Sequence, residues 1–155
     1  MDARNLDSGL LITHGGKRVL VDDAISYEST LSLRKKTGRL SWEDPRIREP
    51  LDWMRSFFPV VIGDNAYAVV EQMKSGHPWH TDIGTNSHMP WCRYSASVGL
   101  SPREDYTGGD FHFRDMGPLH MFRGMIAYTS DFEHKVTRHK GDRVVLLMFF
   151  EGEDG

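Results

Sequence analysis

Residues 79–82 read Trp-His-Thr-Asp, and this stretch, together with His134 far downstream, is the most informative feature of the chain. On an extended strand, residues two positions apart point to the same side, so His80 and Asp82 can contact one ion while Thr81 points away. Two imidazoles and one carboxylate form the facial triad that binds Fe(II) and leaves the other coordination positions open. We therefore predict that His80, Asp82 and His134 bind one metal ion, with His134 on a separate strand.

The chain around this stretch has the pattern of a β protein. After Pro59, short apolar runs alternate with glycine and proline. The predicted strands cover residues 60–62, 67–73, 79–82, 93–100, 110–114, 121–122, 125–129, 134–137 and 144–150. Many short strands with turn signals between them are typical of a sandwich or barrel. A jelly roll (double-stranded β-helix) of about eight strands is the architecture that we expect.

The N-terminal part of the chain predicts a hairpin and two helices. The predicted elements are a hairpin over 10–21 with its turn at 14–16, a helix over 26–36 ended by Gly38, and a second helix over 44–58. Ser26 is expected to cap the first helix, and Pro50 is expected to break or kink the second. We expect a single domain over 1–155, mainly β in an α+β arrangement. Its hairpin and helices, over about 1–58, cover one sheet of a jelly-roll core over about 59–151.

Composition sets limits on the class of protein. The chain has 155 residues, 39% of them hydrophobic and 11% aromatic, which suits a globular domain. Its net charge of −3 gives no basic footprint, so nucleic acid is not an expected partner. The single cysteine, Cys92, excludes an intrachain disulfide. With no apolar run near the ~20 residues of a membrane span and no signal-peptide pattern, we expect a cytoplasmic protein without a membrane partner.

Several motifs together resemble a known family. In chain order they are Trp79-His80-Thr81-Asp82, Tyr106-Thr107-Gly108-Gly109-Asp110-Phe111, His134-Lys135-Val136 and Gly141-Asp142-Arg143. This order is similar to that of the prolyl 4-hydroxylase-like branch of the 2-oxoglutarate/Fe(II) oxygenases, over roughly half of the chain. The resemblance implies a jelly-roll fold, Fe(II) at the triad, 2-oxoglutarate as co-substrate and O₂ as oxidant, with ascorbate as a candidate reductant.

Arg143 is a further candidate residue of the predicted site, in addition to the three metal ligands. It precedes the apolar run 144–150, and a buried guanidinium needs a partner because an unpaired buried charge is very unfavourable. An internal salt bridge is one interpretation. The other, which the resemblance implies, is that Arg143 binds the distal carboxylate of 2-oxoglutarate through its planar donors.

Other contacts to the co-substrate are less clearly marked. Many relatives carry a tyrosine on the strand before the His-x-Asp motif, whereas residues 69–73 here read Val-Val-Glu-Gln-Met. We expect Tyr67 to lie too far back along the strand. Gln72, as an amide donor, and Ser97 or Ser95, as hydroxyl donors, are the candidates in its place.

Some other histidines compete with His134 for the metal. They are His77, His88, His112 and His120. We expect His77 to point away from His80, because three residues separate them on a strand. We expect His112 to share a solvated or pocket-lining face with Asp110 and Arg114. His88 lies in the glycine- and serine-containing stretch 84–90, which we expect at the mouth of the site with Trp79, Trp91 and Tyr94.

These features predict a 2-oxoglutarate- and Fe(II)-dependent dioxygenase. The expected reaction is hydroxylation of a peptidyl proline, an amino acid or another small substrate, with release of succinate and CO₂. An oxidative demethylation is the related outcome. Two alternatives remain open: a non-catalytic jelly-roll module that binds a metal or ligand, and a Zn-dependent hydrolase with the same three ligands. The sequence leaves the substrate and the oligomeric state open.

Overall fold

The fold is built mainly from short antiparallel strands. The computed structural model describes residues 10–13, 16–73, 75–83 and 89–152. The strands are β1 (Leu10–Thr13), β2 (Gly16–Val21), β3 (Gly38–Leu40), β4 (Val60–Val61), β5 (Tyr67–Met73), β6 (His77–His80), β7 (Tyr94–Gly99), β8 (Tyr106–Gly108), β9 (Phe111–Phe113), β10 (Met116–Leu119), β11 (Met125–Thr129), β12 (His134–Val136), β13 (His139–Gly141) and β14 (Arg143–Gly152). The helices are α1 (Tyr27–Leu33) and α2 (Arg48–Phe57).

Most of the strands belong to one large sheet. Its strand order is β1-β2-β11-β7-β14-β5-β3, and β4 also pairs with β14. The long strand β14 is central, with antiparallel pairing to β5 on one side and β7 on the other. A smaller sheet has the order β10-β9-β12-β6, and β8 pairs with β13. The predicted mainly β architecture is confirmed.

The main core lies on one face of the large sheet. Alternate strand residues and the apolar faces of both helices share one buried cluster, which includes Leu33, Leu51, Met54, Val70, Val98, Leu146, Met148 and Phe150. Since side chains alternate along a strand, the intervening residues of the same strands point to the opposite face. That opposite face is available to line a site.

Side-chain caps begin helix α1 and the 3₁₀ turn that precedes α2. Ser26 Oγ accepts a hydrogen bond from the Ser29 backbone N–H, and α1 ends at Leu33, earlier than predicted. Asp44 caps a 3₁₀ turn, Pro45–Ile47, which leads directly into α2. The predicted kink at Pro50 does not occur. Pro50 lies in the first turn of α2, where its missing N–H has no partner to lose.

The strand predictions differ from the structure mainly at the ends. Strands β5 and β11 have the predicted bounds, and the predicted N-terminal hairpin is formed by β1 and β2, with turn residues 14–15 outside the described part. Residues 121–122 form only a bridge to Gly99. Strands β3, β8, β10 and β13 are not predicted, because they are short and contain glycine, and strand β6 ends at His80. Asp82 therefore lies beyond the strand on which we had placed it.

In the part of the chain that the structure describes, no helix has the length and apolar character needed to cross a bilayer.

Candidate active site

The three predicted metal ligands meet at one end of the space between the two sheets. His80 is the last residue of β6, and His134 is its partner on the neighbouring strand β12. Asp82 follows two residues after His80, held by a hydrogen bond from its backbone N–H to the Ser130 carbonyl. Oδ1 of Asp82 lies 3.7 Å from Nε2 of His80 and 3.5 Å from Nε2 of His134.

This donor set fits a divalent metal ion. One ligand atom from each of His80, Asp82 and His134 lies within 4.8 Å of the other two. Two ligands about 2.1 Å from one ion, at right angles to each other, lie about 3 Å apart, so small side-chain movements would complete the coordination. The set occupies one face of an ion and leaves the opposite positions for other ligands.

Both imidazoles present the nitrogen that faces the ion. Nδ1 of His80 lies 2.7 Å from the Pro78 carbonyl oxygen, and Nδ1 of His134 lies 3.0 Å from the Phe132 carbonyl oxygen. A carbonyl oxygen only accepts, so each Nδ1 carries a proton, and in the neutral imidazole Nε2 is then the nitrogen with the lone pair. Burial also lowers the pKa of His80, although its bond to Pro78 opposes this, and the net shift favours the neutral ligand form.

Tyr128 on β11 holds the Asp82 carboxylate in place. Its hydroxyl lies 3.1 Å from Oδ2 of Asp82 and 3.1 Å from Nε2 of His134. Burial, with the nearby Asp82 charge, raises the pKa of Tyr128 well above its ordinary value, so the hydroxyl keeps its proton and can donate. Because Oδ2 of Asp82 is engaged by Tyr128, Oδ1 is the oxygen that faces the two imidazoles.

The Asp82 carboxylate is stabilised in its charged form. Burial raises the pKa of Asp82, but contacts with His134, Ser95 and Tyr128 outweigh this and hold it below the ordinary value. Sequence reasoning predicted neither Tyr128 nor its role. Its signal was a tyrosine in the apolar strand 125–129, six residues before a ligand, because a buried hydroxyl needs a hydrogen-bond partner.

Arg143 lines the same cavity as the three ligands. The cavity has a volume of about 730 Å³, and side chains of both sheets line it. The Arg143 side chain is buried, and its Nε has no hydrogen-bond partner among the described residues. No carboxylate in the described part of the chain forms an ion pair with it, so the internal salt bridge is not present. A buried guanidinium whose Nε has no partner in the described structure suits an anionic ligand.

Gly109, in the glycine-rich stretch of the sequence, leaves space for the Arg143 side chain. Gly109 has φ +67°, and a methyl group there would lie 2.7 Å from Cδ of Arg143, so only glycine leaves room for the guanidinium stem. Burial lowers the pKa of Arg143, while Tyr106 and Asp110 raise it and Arg103 lowers it. An arginine keeps its charge despite such a shift.

The predicted co-substrate contacts are only partly placed in the cavity. Ser97 lines it, and Ser95 lies beside Asp82. Gln72 does not line it: its side chain points to the other face and donates a hydrogen bond to Asp142. Tyr67, which we expected to lie too far back, does line the cavity. Tyr67 and Gln72 are five positions apart on β5, so their side chains point to opposite faces of the strand.

The competing histidines have other surroundings. His77 points into the cavity, with its ring centroid 5.5 Å from that of His80, because a β-bulge between β12 and β6 shifts the pairing and re-aims the strand. The prediction that it points away was therefore wrong. His112 alternates with two buried phenylalanines, and His120 lies 2.7 Å from Asp110. Residue 88 lies outside the described residues.

Of the residues predicted at the mouth, Trp79 is half-buried between two cations. The guanidinium carbon of Arg114 is 4.0 Å from its ring centroid, and Nζ of Lys135 is 4.9 Å away. Trp91 packs edge-on against Tyr67, with centroids 6.1 Å apart. Tyr94 instead packs against the main core, away from the cavity. Residues 84–88 of the predicted loop lie outside the described part.

Comparisons with known proteins agree with this fold. Neither a protein-family model nor a curated protein sequence matches the chain. Solved structures do. The viral collagen prolyl hydroxylase of Paramecium bursaria Chlorella virus 1, solved as a 2OG complex, is 11% identical with a TM-score of 0.62, over 88% of this chain and 96% of that one. A Pseudomonas putida prolyl-4-hydroxylase is 13% identical with a TM-score of 0.65, over 89% and 86%.

A prolyl 4-hydroxylase of Phytophthora capsici is also similar, at 14% identity and a TM-score of 0.65, over 88% of this chain and 59% of that one. The chain therefore shares the fold of these prolyl hydroxylases. Within that fold it carries a His-Asp-His group able to hold a metal ion, in the same cavity as a buried arginine.

Proposed function

We propose that this protein is a 2-oxoglutarate- and Fe(II)-dependent oxygenase. His80, Asp82 and His134 hold the iron, and Arg143 binds the distal carboxylate of 2-oxoglutarate. The observation that carries the proposal is the shared cavity. The three ligands and a buried guanidinium without an ion-pair partner in the described chain line one space of about 730 Å³. A dicarboxylate that chelates a metal needs both features at once.

The residues of the cavity have separate roles in this reaction. Tyr128 fixes the Asp82 carboxylate so that one oxygen faces the iron, and Arg143 sets the orientation of the co-substrate. The apolar residues Val145 and Leu147 on β14 keep water from the reacting groups. When bound, Fe(II) and 2-oxoglutarate supply the oxidation by O₂, which gives succinate, CO₂ and a hydroxylated substrate with one oxygen atom in the succinate and one in the hydroxyl group.

A peptidyl proline, a free amino acid or another small molecule is the proposed substrate. The fold neighbours that act on prolyl residues motivate the first. The product is an alcohol or, where the hydroxylated carbon is attached to nitrogen, a demethylated amine. Ascorbate is the proposed reductant that keeps the iron in its ferrous state. Ser97, which also lines the cavity, is proposed as a further contact of the co-substrate.

The two alternatives make different predictions. A Zn-dependent hydrolase uses the same ligand types, but it gives no role to a buried guanidinium in the same cavity. A non-catalytic module has no need of all four residues. Anaerobic addition of Fe(II) and then 2-oxoglutarate should produce a weak visible charge-transfer band only if 2-oxoglutarate chelates the iron. Absence of this band in folded, iron-loaded protein would contradict the proposal.

A substitution at the third ligand tests the assignment directly. His134→Ala should lower bound iron and abolish substrate-independent turnover of 2-oxoglutarate, measured as succinate formed. His112→Ala is the matched control, because His112 is the neighbour of Lys135 on the adjacent strand and its side chain lies outside the cavity lining. Full iron occupancy and turnover in His134→Ala would show that the third ligand is another residue.

A further inference from the structure

The turn between β11 and β12, residues 130–133, carries two carbonyl groups that hold proposed metal ligands. The Ser130 carbonyl accepts a hydrogen bond from the backbone N–H of Asp82 over 3.1 Å. The Phe132 carbonyl oxygen lies 3.0 Å from Nδ1 of His134. Two of the three proposed ligands therefore depend on the placement of one turn, because a change in its backbone would move both carbonyl groups.

The buried side chain of Arg18, on the neighbouring strand β2, packs against this turn. Its guanidinium carbon lies 4.8 Å from the ring centroid of Phe132 and 4.9 Å from that of Phe113. These two rings meet edge to face, with centroids 5.7 Å apart. Phe113 is the direct partner of His134 on the strand β9. Arg18 therefore contacts both the turn that precedes His134 and the strand that lies beside it.

The gain in stability from this buried cation is small. Arg18 is 2% exposed, and its Nη1 and Nη2 donate to the two carboxylate oxygens of Asp115 over 2.6 and 2.9 Å. Its Nε has no hydrogen-bond partner in the described structure. An ion pair with a buried charge is often no more stabilising than apolar side chains of similar volume. A planar guanidinium with two hydrogen bonds does have one fixed orientation, so its contribution is a defined geometry.

We propose that Arg18 is a positioning residue of the metal site. It fixes the ring of Phe132 and, through the backbone of the turn, the carbonyl group that orients His134. This inference rests on the proposed function, because it concerns the ligands of the same site. His80 is independent of the turn, since its Nδ1 is bonded to the carbonyl of Pro78 on its own strand.

The tautomer of His134 in the metal-free protein is the first readout. It is measured by ¹⁵N NMR of histidine-labelled protein at alkaline pH, where imidazoles are neutral. In the wild type, both His134 and His80 should carry the proton on Nδ1. In Arg18→Met, which keeps an unbranched apolar side chain, His134 should become a mixture of both tautomers while His80 keeps its Nδ1 proton. General loss of stability would not separate the two histidines in this way.

The affinity for Mn(II), measured by titration of metal-free protein, is the second readout. We expect an approximately tenfold loss in Arg18→Met, the size expected when a group that orients a metal ligand is removed. Phe132→Leu removes the ring but leaves the pair of Arg18 and Asp115, and it should have the same two effects. Val19→Ala is the matched control, because Val19 is the next residue on β2 and packs in the main core on the opposite face. It should lower the melting temperature and leave both readouts unchanged.

The outcomes separate the role of Arg18 from the proposed function. An unchanged His134 tautomer, or a Mn(II) affinity within about twofold of wild type, in folded Arg18→Met or in Phe132→Leu overturns the role. Equal effects in Val19→Ala also overturn it. If Arg18→Met does not fold, Phe132→Leu decides. The charge-transfer band of Fe(II) and 2-oxoglutarate is recorded on the wild type. A band with unaltered His134 in the variants keeps the oxygenase and rejects the role, whereas altered His134 and Mn(II) affinity without a band keep the role and reject the oxygenase.

Discussion

Replacing Tyr128 with phenylalanine is expected to weaken metal binding at the proposed iron site. The change removes one oxygen atom and keeps the ring, which is 4% exposed and packs against Phe113 with centroids 5.4 Å apart. The hydroxyl lies 3.1 Å from Oδ2 of Asp82 and 3.1 Å from Nε2 of His134. One small substitution therefore removes the hydrogen bond that holds the Asp82 carboxylate, while the apolar packing is retained.

The size of the effect follows from the charge of the acceptor. A hydrogen bond to a charged group contributes about 1.5–3 kcal/mol. Since each 1.4 kcal/mol is a factor of ten in an equilibrium constant, the expected loss of affinity is about tenfold to hundredfold. Oδ2 of Asp82 stays buried in the variant and keeps only its other neighbours, among them Ser95. The carboxylate is then less firmly held with Oδ1 toward the imidazoles.

Metal affinity can be measured without turnover. Fe(II) binding is followed anaerobically by competition with a chromogenic chelator, and Mn(II), which resists oxidation, gives a second value. Tyr27→Phe is the matched control, because the Tyr27 ring is 51% exposed and lies on α1, on the other side of the large sheet. Circular dichroism and the melting temperature of the metal-free protein establish that Tyr128→Phe is folded.

A folded Tyr128→Phe variant that binds both metals within about twofold of wild type would refute this reasoning. Tyr128 would then contribute only packing, and the order of the three ligands would come from the backbone of β6 and β12 alone. The same result would leave the assignment of the three ligands intact, because the chelator assay measures iron at the site in either case.

Three further changes probe the surroundings of the site. Arg143→Lys is expected to raise the apparent KM for 2-oxoglutarate by about tenfold to hundredfold at unchanged metal affinity, because lysine loses the planar pair of donors; a lower melting temperature with unaltered KM would contradict this. Gly109→Ala is expected to lower 2-oxoglutarate affinity and stability together, measured by titration and by denaturant unfolding, because φ is +67° and the methyl group meets Arg143. The buried Arg18 lowers the pKa of Asp115 below its ordinary 3.8, so their ion pair stabilises the fold above that pH and is lost as the pH falls through the lower folded value. The melting temperature of Asp115→Asn should therefore lie below that of wild type at neutral pH, by the equivalent of at most about 1 kcal/mol because Asp115 is exposed to solvent, and the two should converge only as the pH falls through the lowered pKa of Asp115.

The meeting of the three proposed ligands was predictable from the sequence. His80 and Asp82 are two residues apart, and His134 begins a separate predicted strand, 134–137. In the structure His134 is the direct partner of His80 across the β12–β6 pair, which places their rings 4.2 Å apart. A histidine pair on adjacent antiparallel strands needs only the correct pairing of two strands. The motif spacing carried that information.

The face of β5 was not predictable in the same way. Residues 68–70 are Ala-Val-Val, apolar on both sides, because one face meets the main core and the other approaches the cavity. A strand covered on both faces has no alternation to fix its phase. Gln72 was proposed without knowledge of that phase, and its side chain lies on the face opposite the cavity.

A bulge in the β12–β6 pair made the orientation of the β6 side chains unpredictable from the sequence. His134 pairs with His80, and Val136 pairs with His77. Between these two pairs β12 advances by two positions, whereas β6 advances by three. No residue pattern in the stretch 77–80 indicates this bulge, since it arises from pairing with another strand. The bulge turns His77 toward the cavity. It also precedes the bend at Asp82, which the strand rule had treated as extended chain.

The two faces of β7 explain how one sheet serves both stability and chemistry. Ala96 and Val98 point to the main core with the helices, while Ser95 and Ser97 point to the opposite face. Small polar side chains on that face leave space between the sheets that larger apolar side chains would fill. Burying Ser95 has little energetic penalty, because it has hydrogen-bonding neighbours, among them Asp82. Substitutions on the core face should therefore act mainly on the free energy of unfolding. Those on the serine face should act mainly on what the cavity binds, because that face holds space for a ligand instead of packed side chains.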